Sequence, residues 1–342
     1  MPRSKNHSAQ PQRVTMRDIA EAAGVHVMTV SNALGDTRSV APETREKVQR
    51  IARELNYIPN TVARALAKGR TGVIAVVCGA VNEPYYGSMV HYLETCMNQD
   101  DYRLTLLRRP HDVMALVNAT GSVAADGAIA IDMYHLAEEF RSHPTVPCVS
   151  IGTFTRSLLD YVVVDLGPAV EEALEVMYAA GRRRIAYVVN APYLTLPTEV
   201  RAGTYLKFME RVGLAPEFLV ADTSHVGEVV LPKVGPLIKA YIEENGCPDA
   251  LLCLNDETAM SAYRVLRDLG RRIPDDVLMV GCDGQLHMEY FDPPLSTVSQ
   301  PMEEMCIRAW EFLRNRMANP GLPLQHASLQ GELIIRGSLL PQ

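Results

Sequence analysis

From Gly72 onward, short apolar runs alternate with segments of helical period: "GVIAVV", "RLTLL", "GAIAID", "CVSIG", "YVVVD", "RIAYVV", "ALLCLN" and "VLMVGC". A strand that is apolar at nearly every position, rather than at every second one, must be covered on both faces. Crossover helices flanking a parallel sheet provide that cover. The alternation therefore predicts a doubly wound α/β core. The runs are too many for one sheet of ordinary size, and "YVVVD" followed by "LGPAVEEALEVMYAAG" reads as a restart. Two parallel-sheet subdomains are expected within residues 71–342, one from about 71–164 with 296–326 and the other from about 165–295 with 327–340. The tail joins them through "STVSQP", a helix near 302–318 and a last strand near 328–336. Open sheets of this kind bind ligands outside the carboxyl ends of their strands, so two facing subdomains define a cleft.

The first 70 residues have another texture. Residues 1–13 are polar with two prolines and are expected to be disordered. An all-α segment follows at 14–58, with short helical patterns near 16–23 and 27–34. A third, "PETREKVQRIARELN", carries Pro42 and Glu43 in its first turn and Val48, Ile51, Ala52 and Leu55 on one face. Pro59 stops that helix, Asn60 caps a short fourth one and Gly69 closes it, defining a segment at 59–70. A helix of about two turns is marginal alone in water and needs a partner to hold it.

Charge divides the chain at the same place. The net charge is −7, yet residues 1–70 hold 12 basic against 6 acidic side chains, while the remainder holds 21 against 34. A basic head on an acidic body fits a local contact with a polyanion. Within the head, "MRDIAEAAGVHVMTVSNAL" has Ala20 and Ala23 small enough for close helix approach, Gly24 at a turn, and Val25, Val30 and Leu34 facing inward. That is the pattern of a helix-turn-helix as well as of an ordinary helical hairpin, and the surrounding basic charge favours DNA. The second helix then presents Val27, Met28, Thr29, Ser31 and Asn32 to a major groove.

The seven cysteines are scattered and never form a CxxC pair, which fits free thiols in a reducing compartment. No stretch approaches the ~20 apolar residues of a membrane span, and the basic N-terminus has no apolar run after it. The expectation is a cytoplasmic protein of a prokaryotic-type cell, without a membrane partner.

"VTMRDIAEAAGVHVMTVSNAL", "VAPETREKVQRIARELNYIPN", "ALAKGRTGVIAVV", "CLNDETAMSAYRVLRDLGRRIPDD", "VGCDG" and "DPPLSTVSQP" resemble, in order and spacing, the lactose/galactose repressor (LacI/GalR) family over about residues 14–338. The resemblance implies a homodimeric transcription regulator with a helix-turn-helix head, a hinge helix and a periplasmic-binding-protein-like sensor core, usually for a sugar. Its partners would be palindromic double-stranded operator DNA and a small-molecule effector. Leu66 matches the family's minor-groove leucine, with Asn60, Ala63 and Lys68 beside it. Such a wedge unstacks a base step in return for a bent duplex that wraps more protein. Thr15, Thr29, Ser39 and Asn60 are phosphate-contact candidates. Two positions depart from the common pattern. His26 stands where Ser or Thr is frequent, and Asn32, where Arg is frequent, suits adenine rather than guanine.

For the effector, Arg201 of "EVRAGTYLKFM" matches an arginine that clamps the ligand, although Thr204 replaces the usual glycine. Asn255 of "LND", Asp283 of "VGCDG", and Asn82, Tyr85 and Tyr86 of "NEPYYGSMV" complete the expected set. An arginine with an aspartate and an asparagine supplies the donors and acceptors that vicinal hydroxyls require. "HVGEVVLPKV" lacks a stacking aromatic and Cys282 replaces a usual Phe or Tyr, so the effector is expected to be smaller, or less well stacked, than a typical disaccharide. The sequence holds no P-loop, GxSxG, HExxH or Cys/His cluster at metal spacing. No catalysis, cofactor or metal is expected. The alternative is a solute-binding sensor without a DNA function, and an enzyme on the same architecture is more remote.

Overall fold

The apolar pattern of the head folds as its spacing demands. In the computed structural model α1 spans Met16–Ala23, α2 Val27–Leu34 and α3 Pro42–Glu54. Ile19, Ala20, Ala23, Val30, Ala33, Val48, Ile51 and Ala52 form one buried cluster, flanked by Val25, Leu34, Leu55 and Tyr57. Gly24 ends α1 in the left-handed conformation (φ 65°), with the Val25 N–H returning to Ala20 O at 3.0 Å. A side chain is disfavoured there by φ rather than by lack of space. The structure describes residues 14–35, 40–58, 69–108, 110–117, 124–133, 146–153, 159–222 and 231–340. The chain divides into two units, residues 1–69 and 70–342. The expected disordered tail and most of the expected hinge helix (59–68), with Asn60, Ala63, Leu66 and Lys68, lie outside the described residues. So does Ser39.

The second unit holds two six-stranded sheets. The first comprises β1 (Val73–Val77), β2 (Arg103–Leu107), β3 (Gly127–Ile131), β4 (Cys148–Gly152), β5 (Asp160–Asp165) and β11 (His326–Gln330), in the order β2-β1-β3-β4-β5-β11, all parallel. Its described helices include α4 (Pro84–Asn98) and α5 (Pro110–Val117). The second comprises β6 (Ile185–Val189), β7 (Glu217–Val220), β8 (Ala250–Cys253), β9 (Leu278–Asp283), β10 (Ser296–Ser299) and β12 (Glu332–Ile334), in the order β7-β6-β8-β9-β10-β12, with only the last pair antiparallel. Its helices are α6 (Gly167–Ala179), α7 (Val200–Val212), α8 (Leu231–Asn245) and α9 (Asp256–Asp268). Helix α10 (Met302–Ala318) packs on the first sheet beside α4.

Two-sided burial explains the continuous apolar runs. In β1, Ile74 and Val76 enter one core while Ala75 and Val77 enter another on the opposite face. The larger core is continuous through both subdomains. Leu166, Val298 and Met302 lie in it at the crossings, and Leu329 and Leu333 pack against it.

The chain crosses between the sheets three times, and here the expected boundaries need correction. β10, placed with the first subdomain from sequence, is a strand of the second sheet, paired in parallel with β9. Residues 326–330, placed largely with the second subdomain, pair with β5 in the first. The single last strand expected at 328–336 is two strands that diverge at Gly331, where a Cβ would lie 2.7 Å from Leu166 Cδ2. The first subdomain is therefore about 71–165 with 302–330, and the second about 166–300 with 331–340. Strand pairing depends on distant partners, and those short segments carry equal propensity for either sheet.

Candidate functional site

Helix α2 exposes an uncharged surface. His26, Val27 and Met28 are exposed, and Thr29, Ser31 and Asn32 are half-buried. His26 proves to be a working N-cap: its Nδ1 accepts the Met28 N–H at 3.2 Å. Thr15 caps α1, and both its N–H (2.7 Å) and its hydroxyl (2.8 Å) donate to Asp18 Oδ2. That leaves the Thr15 hydroxyl as an acceptor, so its backbone and its side-chain proton are committed to the helix start rather than to a phosphate. Arg45 of α3 reaches the end of α2, donating from Nη1 to Ala33 O at 3.2 Å. Arg50 lies on the solvated face 3.9 Å from Glu54.

In the second unit each sheet reverses its winding once, between β1 and β3 and between β6 and β8. Loops at the carboxyl ends of strands next to such a reversal splay apart and leave a crevice. On the first wall, the chain leaves β1 through a turn holding the exposed Asn82 and enters α4, whose first turn carries Tyr85 and Tyr86. The two rings meet edge-on at 5.1 Å. Tyr86 lies over Gly79, where its ring leaves no room for a Cβ. The Asp132 carboxyl, which follows β3 with φ 55°, lies close enough to the Tyr85 hydroxyl to feel it.

The second wall is built around Arg201 in the first turn of α7. Its Nε donates to Glu199 Oε1 at 2.8 Å and its Nη1 to Leu254 O at 2.7 Å, with the Cys282 sulfur 3.9 Å away. Among the described residues no hydrogen bond reaches Nη2. Glu199 also caps α7 through the Ala202 N–H at 2.8 Å. Asn255 follows β8 and caps α9, its Oδ1 accepting from the N–H (2.9 Å) and hydroxyl (2.6 Å) of Thr258. Asp283 ends β9 with φ 121° and accepts from Gln300 Nε2 at 2.7 Å, so a crossing segment is tied to the cleft floor.

The walls face each other electrostatically. Burial pushes the Asp132 carboxyl up to about 6, while Arg201 on the opposite wall and the Tyr85 hydroxyl pull it down. Asp283 is held well above the carboxylate range by burial and by Asp256 and Glu257, with Arg201 opposing. Its charge reaches Tyr85 and Tyr86. Asp256 is pushed up to about 7 by burial, even though the Gln285 N–H and the Thr297 hydroxyl each donate to it at 2.7 Å. Burial disfavours the Arg201 cation, but Glu199 and the neighbouring acids more than compensate and raise its pKa.

Tyr85, Tyr86, Arg201 and Asp283 thus converge, with Asn255 beside the Leu254 carbonyl that Arg201 holds. Sequence reasoning missed Asp132, Glu199 and Gln300. The acid closing "GAIAID" at a strand's carboxyl end was a usable signal for Asp132. Gln300 had none, because its role depends on the third dimension.

These features define a class: a basic, three-helix DNA-reading head on a two-subdomain ligand-binding core. Residues 15–60 match the model for bacterial regulatory proteins of the lacI family, and residues 174–339 match that for the periplasmic binding protein-like domain. The chain is 28% identical to the ribose operon repressor of Haemophilus influenzae, over 95% of this chain and 98% of that protein. The lac repressor bound to ONPG shares the fold, with a TM-score of 0.78 at 23% identity over 96% of this chain and 100% of that one. A CelR–cellobiose complex gives a TM-score of 0.67 at 24% identity, over 95% and 100%. Residues 15–60 thus carry a head of the lacI family, and the relatives that the chain matches over nearly its whole length are named as transcription regulators and repressors rather than enzymes. No helix among the described residues is long and apolar enough to cross a membrane.

Proposed function

We propose that this protein is a homodimeric repressor that binds a palindromic operator, with an affinity changed by a carbohydrate effector in the cleft. The observation that carries the reading is the convergence of Tyr85, Tyr86 and Asp132 from one subdomain with Arg201 and Asp283 from the other. A ligand touching both walls binds their closed arrangement better than their open one, and only such differential affinity shifts a conformational equilibrium. The cellobiose of the CelR complex supports a sugar as ligand class. At the operator, Val27 and Met28 contact thymine methyls, Asn32 reads adenine, and Thr29, Ser31 and His26 lie along the same edge. Ser39 approaches a phosphate, and Leu66, with Asn60 and Ala63, wedges the minor groove at the centre.

Selection of the full-length protein against a random duplex library tests this. The expected product is a palindrome whose half-sites differ from the common family sequence opposite Asn32. Adding candidate sugars to the selected duplex then gives the sign of the response. Failure to enrich any sequence at low salt, with and without sugars, would overturn the reading.

A further inference from the structure

Polar side chains in the cleft are unevenly charged. Burial raises the pKa of Glu83, at the start of α4 on the first wall, and Glu257, in the first turn of α9 on the second, is near enough to raise it further. Asp283 and Asp256 feel Glu257 as well. Asp132 adds a fifth carboxyl. Against these stand Arg201, already paired with Glu199 at 2.8 Å, and Arg108, which is exposed near Glu83. His287, also exposed, lies close enough to Glu257 to oppose its upward shift. Among the described residues the cleft is rich in carboxyl groups, several of them pushed toward the neutral form by burial, and its one buried cation is paired through Nε with Glu199.

Glu257 is the informative member. It is 4% exposed, and apart from its own backbone N–H neither carboxylate oxygen meets a hydrogen-bond partner among the described residues. Gln300, 7% exposed, leaves its Oε1 unpartnered after giving Nε2 to Asp283. Buried acceptors in a native protein are satisfied by something, because an unpaired one forfeits its desolvation energy. The positive end of α9 helps keep Glu257 ionised but supplies no proton donor from the opposite wall. What would satisfy these atoms must bring donors and positive charge.

We propose that the effector carries a protonated amine that sits between Glu83 and Glu257, making this an amino-sugar site closed to sugar phosphates and sugar acids. This rests on the reading of the cleft as the effector site. A cation between the two glutamates bonds both walls at once and removes the repulsion that holds them apart, so the same contact that confers selectivity drives closure. An anionic sugar would instead meet several carboxylates and only the paired Arg201.

The test is isothermal titration of the full-length protein with glucosamine, galactosamine and mannosamine, each beside its neutral parent, 6-phosphate and uronic acid. The expected result is that one amine binds about tenfold or more tighter than its neutral parent, as a hydrogen bond to a charged group allows, and that its phosphate and uronate do not bind. Glu257→Gln keeps the shape and relieves like-charge repulsion, so it should fold; it should bring amine and neutral parent to within about threefold, and Glu83→Gln should do so in part. Tighter binding of a phosphate or uronate, or an amine preference unchanged in both variants, overturns the proposal while leaving the cleft as effector site. A panel without a binder of any charge overturns the carbohydrate reading itself.

Discussion

The recognition helix and the cleft use polarity in opposite ways. Met28 is 63% exposed and Val27 38%, and helix α2 itself carries no acidic or basic side chain. In the cleft the ionisable groups are buried, with Arg201 at 9% and Asp283 at 4% exposure, and each is held by other protein atoms. A surface that reads DNA can leave its side chains to water until the duplex arrives, because their folded-state environment contributes little. A cleft that must respond to a small molecule has to hold its groups ready, which puts ionised atoms where water is scarce. Substitutions in α2 should therefore separate binding from stability, whereas substitutions in the cleft should not.

The largest expected effect is at Arg201. Removing it leaves Glu199, whose side chain is 1% exposed, as an uncompensated buried carboxylate. Arg201→Ala should lose about 3–5 kcal/mol of stability, read by urea denaturation. The double variant Glu199→Gln with Arg201→Met should recover most of it. If Arg201→Ala alone were neutral, the cleft would be no more preorganised than the recognition helix, and the contrast would fail.

Asp132 sharpens the comparison through pH. Its carboxyl is raised from 3.8 to about 6, so between those values the folded protein holds more proton than the unfolded chain. Stability falls as pH rises through that window and is not regained above it. Asp132→Asn should remove the fall, making the variant more stable than the parent at pH 7.5 by about 1 kcal/mol, allowing for the half-buried position, and equal to it near pH 4. Melting curves at the two pH values check the sign.

Met28→Ala should do the reverse of Arg201→Ala. It should weaken operator binding by about 1 kcal/mol, roughly fivefold, while changing the melting temperature little, since surface substitutions stay within about 0.5 kcal/mol. Equilibrium binding to the selected duplex and a thermal melt suffice. The smallest effect is expected at His26. His26→Ser supplies a better cap for the Met28 N–H and should stabilise the head by about 0.5 kcal/mol, seen in amide exchange of residues 27–34.

How far the sequence carries depends on the range of the interaction. The head was legible because its signals are local. Gly24 must adopt a positive φ, Ala20 and Ala23 must be small, and Ile19, Val30 and Val48 recur at helical spacing. The two doubly wound sheets were legible for a related reason: a strand buried on both faces is apolar throughout, and each run announces itself. Tyr85, Tyr86 and Arg201 came from the resemblance of their segments to the family, and Asp283 from that resemblance together with its place at a strand's carboxyl end. By contrast, "STVSQP" and "HASLQGELII" have no local property that selects a sheet, and only their pairing with β9 and β5 did so.

The sequence alone therefore determined the elements and the division between a basic head and an acidic core, because these depend on composition and on neighbours within a few turns. Tertiary structure decided which sheet each tail strand joins, that Glu199 neutralises Arg201, that Asp132 faces it from the other wall, and that Glu257 lies buried with no partner among the described residues but its own backbone N–H. Burial and the field of distant charges set the state of an ionisable group, and neither exists until chain segments far apart in sequence have packed together.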